Sequence, residues 1–139
     1  MTKPAVTYVN PPSSTPPAGM YSHVARVAPG ELAFIAGQVA VDAAGTTIGV
    51  GDLATQTNQV FKNIGDILKD LGSSFDQVVQ LTTYLTSADG IPAFMEARAA
   101  LFPKLYPDGK CPPNTLLIID RLVKPEFLIE VAVIARIPG

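Results

Sequence analysis

Two runs near the end of the chain, Leu116–Ile119 and Phe127–Ala135, are apolar almost without a break. Both are rich in β-branched residues and short enough to be strands. Side chains on a strand leave it on alternate faces. In the last run Phe127, Ile129, Val131, Val133 and Ala135 share one face, and Leu128, Glu130, Ala132 and Ile134 share the other. In the run before it, Leu117 and Ile119 oppose Leu116 and Ile118. A sheet that contains such strands must cover both faces. The chain has 139 residues, one domain's worth, with 47% hydrophobic and only 16% charged residues, against about 25% charged in an average domain. The supply of helices decides what covers the second face.

Two helices are legible. Asp52 is a capping residue ahead of a stripe formed by Leu53, Val60, Phe61, Ile64, Ile67, Leu68 and Leu71, with Gly72 as the stop. A second helix begins near Pro92, a good first-turn residue, and runs through Phe94, Met95, Arg98, Leu101 and Phe102 to about Leu105. Strands are expected at His23–Ala28 and Leu32–Val41 around the turn dipeptide Pro29-Gly30, at Val78–Thr86, at Thr115–Leu122 and at Phe127–Ile137. Residues 1–19 hold five of the thirteen prolines and read as an extended arm, in which Ala5–Asn10 could add a short edge strand. The body spans 20–139 as one domain. The order β-β-α-β-α-β-β is an α+β fold, with a mixed sheet and both helices on one face. The second apolar face then needs a partner, and a second copy of the chain is the expected one.

Composition removes several function classes. Net charge is -2, with Lys+Arg 10 against Asp+Glu 12, so no nucleic-acid partner is expected. One cysteine, Cys111, and one histidine, His23, leave no multi-ligand metal site. No apolar run reaches 18 residues, and MTKPAVTYVN has no signal-peptide core. A cytoplasmic location without membrane contact is expected. The phosphate-binding glycine motifs are missing as well.

The chemical candidates are few. His23 reads as a rim histidine bonded to backbone rather than a general base, and Cys111 as an inert loop cysteine. Asp120 and Arg121 sit near a strand end, where solvated charge is common. Glu130 is the sharpest candidate, a carboxylate on the strand face assigned to the subunit interface. There it serves either proton transfer or a structural pairing with Arg121 or Arg136.

Five segments resemble the Rid/YjgF family, the reactive intermediate deaminases also labelled L-PSP-type endoribonucleases. They are Tyr21-Ser22-His23-Val24, Phe34-Ile35-Ala36-Gly37-Gln38-Val39, Gln56-Thr57-Asn58-Gln59 through Asn63-Ile64, Phe75 through Leu85, and Pro112-Pro113-Asn114 through Leu128-Ile129-Glu130-Val131-Ala132-Val133-Ile134-Ala135. Their order covers about residues 18–137. The resemblance implies a chorismate-mutase-like fold assembled as a homotrimer, with a central β-barrel and ligand clefts between subunits. It also implies hydrolysis of 2-aminoacrylate and related enamines or imines to 2-keto acids and ammonia, without metal or cofactor.

The implied site departs from the family. Tyr21 and Gly37 match, and Leu116 supplies the backbone carbonyl that helps bind water. Asn114 stands where an arginine clamps the substrate carboxylate. Ala132 replaces a glutamate that holds the attacking water, Ala36 replaces a serine, and Met95 aligns with an asparagine. Losing the arginine removes a charge-assisted pair worth about 1.5–3 kcal/mol. The expectation is therefore a hydrolase or deaminase for a small enamine, imine or related molecule, in which Glu130 and Tyr21 are catalytic and activity on 2-aminoacrylate is weak or absent. The alternative is a trimer that binds a small ligand without turnover. An endoribonuclease is the least supported reading.

Overall fold

The computed structural model describes residues 3–139. Helix α1 is Leu53–Asp70, started by the Asp52 carboxylate, which accepts hydrogen bonds from the Thr55 backbone N–H at 3.1 Å and the Thr55 hydroxyl at 2.7 Å. These bonds hold the Asp52 carboxyl below the usual carboxylate range. At the other end Gly72 adopts φ +71°, and the Ser73 N–H reaches back to the Leu68 carbonyl at 2.8 Å, the closure that lets a helix stop at glycine. Helix α2 is Ile91–Leu105, with Pro92 in its first turn. Single 3-10 turns at Phe75–Gln77 and Ala88–Gly90 precede β4 and α2.

The strands are β1 (Val6–Val9), β2 (Val24–Val27), β3 (Glu31–Gln38), β4 (Val78–Leu85), β5 (Asn114–Ile118) and β6 (Ile129–Ile137). β1 pairs antiparallel with β2. The main sheet has the order β3-β6-β4-β5, with β4 and β5 parallel and β6 antiparallel to both β3 and β4. The final strand is therefore central, and the two helices are the crossovers between parallel strands.

Ile129, Val131, Val133 and Ala135 of β6 are buried against Val60, Phe61, Ile64 and Leu68 of α1 and Phe94 and Phe102 of α2. The opposite face of the sheet is uncovered in the protomer. Phe34, opposite Ile134 in the register, is 73% exposed, and Leu32 and Leu117 are exposed too.

Several sequence expectations are corrected here. β2 and β3 do not form a hairpin about Pro29-Gly30, because β2 pairs with β1 and β3 with β6. Arg136 holds the connection instead, donating from Nη2 to the Pro29 carbonyl at 3.0 Å and from Nε to that of Ala28 at 3.3 Å. β3 ends at Gln38, short of Val41, after a register shift past Ile35. β5 ends at Ile118, short of Leu122, so Asp120 and Arg121 lie beyond the strand. β6 begins at Ile129, two residues after the expected Phe127.

On α1 the buried face includes Gln56 and Thr57, while Leu71 is exposed. The Gln56 amide Nε2 donates to the carbonyls of Gly49 and Glu126 at 3.1 and 2.8 Å, and its Oε1 accepts from the Leu128 N–H at 2.8 Å. This one fully buried side chain ties the loop before α1 to the chain entering β6. Gln56→Leu leaves the Glu126 and Leu128 groups without partners, and a loss of about 2–4 kcal/mol is expected, read as a fall in Tm of roughly 10 °C. Lys62→Ala removes only the exposed pair with Asp66, and Tm is expected to stay within about 2 °C.

Candidate functional site

β5 begins where the Cys111-Pro112-Pro113 segment reaches the sheet, and the Pro113 carbonyl accepts from the Leu81 N–H at 2.9 Å. This fixes Asn114 opposite Leu81 and Leu116 opposite Thr83. Leu81 and Thr83 are buried on the helix side, so Asn114 and Leu116 face the same way. The Thr83 hydroxyl donates to Asn114 Oδ1 at 2.8 Å.

Beside them opens a pocket of about 160 Å³, lined by Ala18, Gly19, Tyr21, Met95, Arg98, Asn114 and Leu116. Four of the expected site residues, Tyr21, Met95, Asn114 and Leu116, thus come together. The Tyr21 ring meets the His23 ring edge to face at 5.6 Å, and Tyr21 Oη accepts from the Ala18 N–H at 3.3 Å. His23 Nε2 lies 2.6 Å from the Thr15 carbonyl, a backbone contact on the rim.

The other four expected residues lie elsewhere. Glu130 pairs with Tyr84 and Ala132 with Thr82 across β4, on the face the helices leave bare. Ala36 and Ala132 line a shallow groove on that face with Phe34, Gln80, Thr82 and Ile134. Gly37 lies directly under the Glu130 carboxylate, where a Cβ would overlap it. Glu130 is half-buried. Neither Arg121 nor Arg136 pairs with it in the protomer. Arg121 is bound to the carbonyls of Leu122 and Val123, and Arg136 to those of Ala28 and Pro29. The candidate residues therefore fall into two groups on different faces of one sheet, one beside β5 and the other on β3 and β6.

Arg98 was legible only as a member of helix α2. The spacing Phe94–Arg98–Phe102 puts a guanidinium on the apolar face of that helix, and Arg98 is 4% exposed. Its guanidinium carbon lies 5.3 Å from the Phe94 ring centre and 5.9 Å from that of Phe102. Burial pulls its pKa down, partly opposed by Cys111 and Tyr21. A charged residue inside an apolar helical stripe is the signal that would have marked it.

A roomier cavity, about 500 Å³, is lined by residues of β1 together with Tyr106 and contains none of the expected site residues. Its tyrosines, Tyr8 and Tyr106, have pKa values raised by burial and remain neutral phenols. The smaller pocket is the better candidate because polar groups converge there.

The family profile described as Endoribonuclease L-PSP matches residues 12–137. A RutC family protein of Pyrococcus abyssi is 33% identical over 119 residues, covering 86% of this chain and 87% of its own. The 3-aminoacrylate deaminase RutC of Acinetobacter baylyi is 29% identical over 126 residues, covering 91% and 94%. Among solved structures, YyfB of Yersinia pestis, a protein of unknown function of the conserved Rid family, superposes with a TM-score of 0.84 at 30% identity, covering 95% of this chain and 98% of that one.

Cys111 is 3% exposed, and burial pushes its thiol pKa up, partly opposed by Arg98. The reactive thiolate is thereby disfavoured. Ellman's reagent at pH 8 is expected to label Cys111 at least about tenfold more slowly in the folded protein than in the urea-unfolded chain.

Proposed function

The chain belongs to the Rid/YjgF (L-PSP endoribonuclease) family, and from that premise we propose that it hydrolyses a small enamine or imine in a cleft between subunits of a homotrimer. The observation that carries this reading is the division of the candidate residues. Tyr21, Asn114 and Leu116 line a pocket beside β5, while Glu130, Gly37, Ala36 and Ala132 occupy the uncovered sheet face. A second copy seated on that face would bring one half-site against the other and bury Phe34 and Leu117.

In such a cleft the Leu116 carbonyl and Glu130 would orient a water. Water adds across the C=N bond, the carbinolamine loses ammonia, and a carbonyl product remains. An enamine first takes a proton at carbon, and Glu130 or the Tyr21 hydroxyl is placed to handle it. A relative is named a 3-aminoacrylate deaminase, and this reading puts the chain in the same reaction class. Asn114 and Ala132 leave the strand positions of the cleft uncharged, so 2-aminoacrylate itself would be a poor substrate. A second reading, ligand binding without turnover, draws on the methyl groups of Ala36 and Ala132 in the groove. An endoribonuclease would need salt-dependent RNA affinity, which net charge -2 disfavours.

Light scattering is expected to give three times the chain mass at micromolar concentration; a monomer would sink the trimeric cleft. Against a panel of imines and enamines, the best substrate is expected to lose about 100-fold or more in kcat on Glu130→Gln. For 2-aminoacrylate, kcat/KM is expected about 10- to 100-fold below that of a relative with arginine at the Asn114 position. Binding without turnover of any panel member would favour the second reading.

A further inference from the structure

We propose that Arg98 is the anion-binding residue of the β5 pocket and that the ligand taken there is a small carboxylate. This names the ligand class of the site described above and rests on that pocket being the place where the ligand binds.

Arg98 is 96% buried, since only 4% of its surface is exposed, yet no carboxylate answers it. The one ion pair among the described residues is Lys62–Asp66, on the outer surface of α1. A guanidinium carries five N–H donors. At Arg98, Nη2 donates to the Met95 thioether at 3.0 Å, a weak acceptor. Nε is buried with no partner at all. The Phe94 and Phe102 rings supply cation–π contact, which offsets part of the desolvation and satisfies no donor. A buried cation in this condition is costly to maintain for structure alone.

The pocket gives the donors somewhere to go. Arg98 lines it beside Tyr21, Asn114 and Leu116. At Gly19, which also lines it, a Cβ would come within 3.1 Å of Arg98 Nη2, so the glycine keeps the approach to the guanidinium open. The planar fork of arginine matches a carboxylate with two parallel hydrogen bonds. Leu116 and Met95 add apolar side chains to the lining, which lower the polarity around that pairing. A carboxylate so held lies against α2, displaced from the first residue of β5, so the acids admitted are placed differently from any clamped at the Asn114 position. At about 160 Å³ the pocket suits an acid of a few carbons.

The test is binding and involves no turnover, so failure to hydrolyse imines leaves its result readable. The full chain in its solution assembly is titrated with propionate and butyrate, and with propionamide and butyramide as uncharged matches. The Arg98 Nε–H resonance, assigned with Arg98→Lys, is followed by NMR. The acids are expected to shift that resonance and to bind at least about tenfold more tightly than the amides. Arg98→Met, whose thioether chain can pack between Phe94 and Phe102, is expected to lose at least that factor for the acids and to leave the amides unchanged. The proposal is overturned if acids and amides bind alike, or if folded Arg98→Met keeps wild-type affinity for the acids. Should Arg98→Met not fold, the wild-type resonance decides: an Nε–H signal unmoved by saturating propionate overturns the proposal equally.

Discussion

Alternate side chains of a strand must leave on opposite faces, and β6 sits in the middle of the sheet with both of its faces apolar. The consequences reach every part of the molecule. The inward set, Ile129, Val131, Val133 and Ala135, is what α1 and α2 pack against. Because both helices serve as crossovers between parallel strands, both are spent on that face. The outward set, Glu130, Ala132 and Ile134, shares its surface with Phe34 and Thr82 and meets no layer of the same chain. The same rule divides the candidate residues. Asn114 and Leu116 point toward the helices, and Glu130 points away from them. No rearrangement short of a register slip brings them together within one protomer, and such a slip would turn the core residues outward.

Local signals explain which elements were legible. The Asp52 cap and the Gly72 stop are chemistry of single residues, and the stripe between them has helical spacing, so α1 appears within a residue of its expected bounds. Pro92 does the same for α2. The strand pairings were harder to read because partners lie far apart in sequence. Pro29-Gly30 has the look of a hairpin turn, yet β2 finds its partner in the proline-rich arm and β3 in the last strand. Nothing local in residues 24–38 distinguishes these alternatives. The end of β5 is missed for a related reason: Ile119 continues the apolar pattern, but the ladder with β4 stops at Leu85 and Ile118.

For the candidate site, the motifs offer residues such as Tyr21 and Asn114 as expectations, and these two line one pocket. That the candidate residues lie on two faces of the sheet follows only from the register. Polar residues hidden in helical stripes were read least well. The apolar stripe of α1 is drawn without Gln56, and Arg98 is named in α2 without a role, because periodicity sorts side chains by polarity. Both are buried, and their hydrogen bonding explains why they have different meanings.

Gln56 spends its amide on backbone groups of the Gly49 loop and of the chain entering β6, and it ends with its donors and acceptor answered. A residue of that kind is structural: burial is compensated inside the fold, and no ligand is needed to complete it. Arg98 has aromatic faces, a thioether and an orphaned Nε, and it lines a pocket. Two other orphaned atoms, Gln77 Oε1 and Tyr106 Oη, belong to neutral groups, for which the cost of a missing partner is modest. A guanidinium cannot escape its cost by losing a proton, since it stays charged throughout the accessible pH range. Among the described residues, Arg98 is therefore the buried charged group left with an unanswered donor, and it lines the cavity that also gathers Tyr21, Asn114 and Leu116. The charge absent from the first residue of β5 is present one element away, on the inner face of α2.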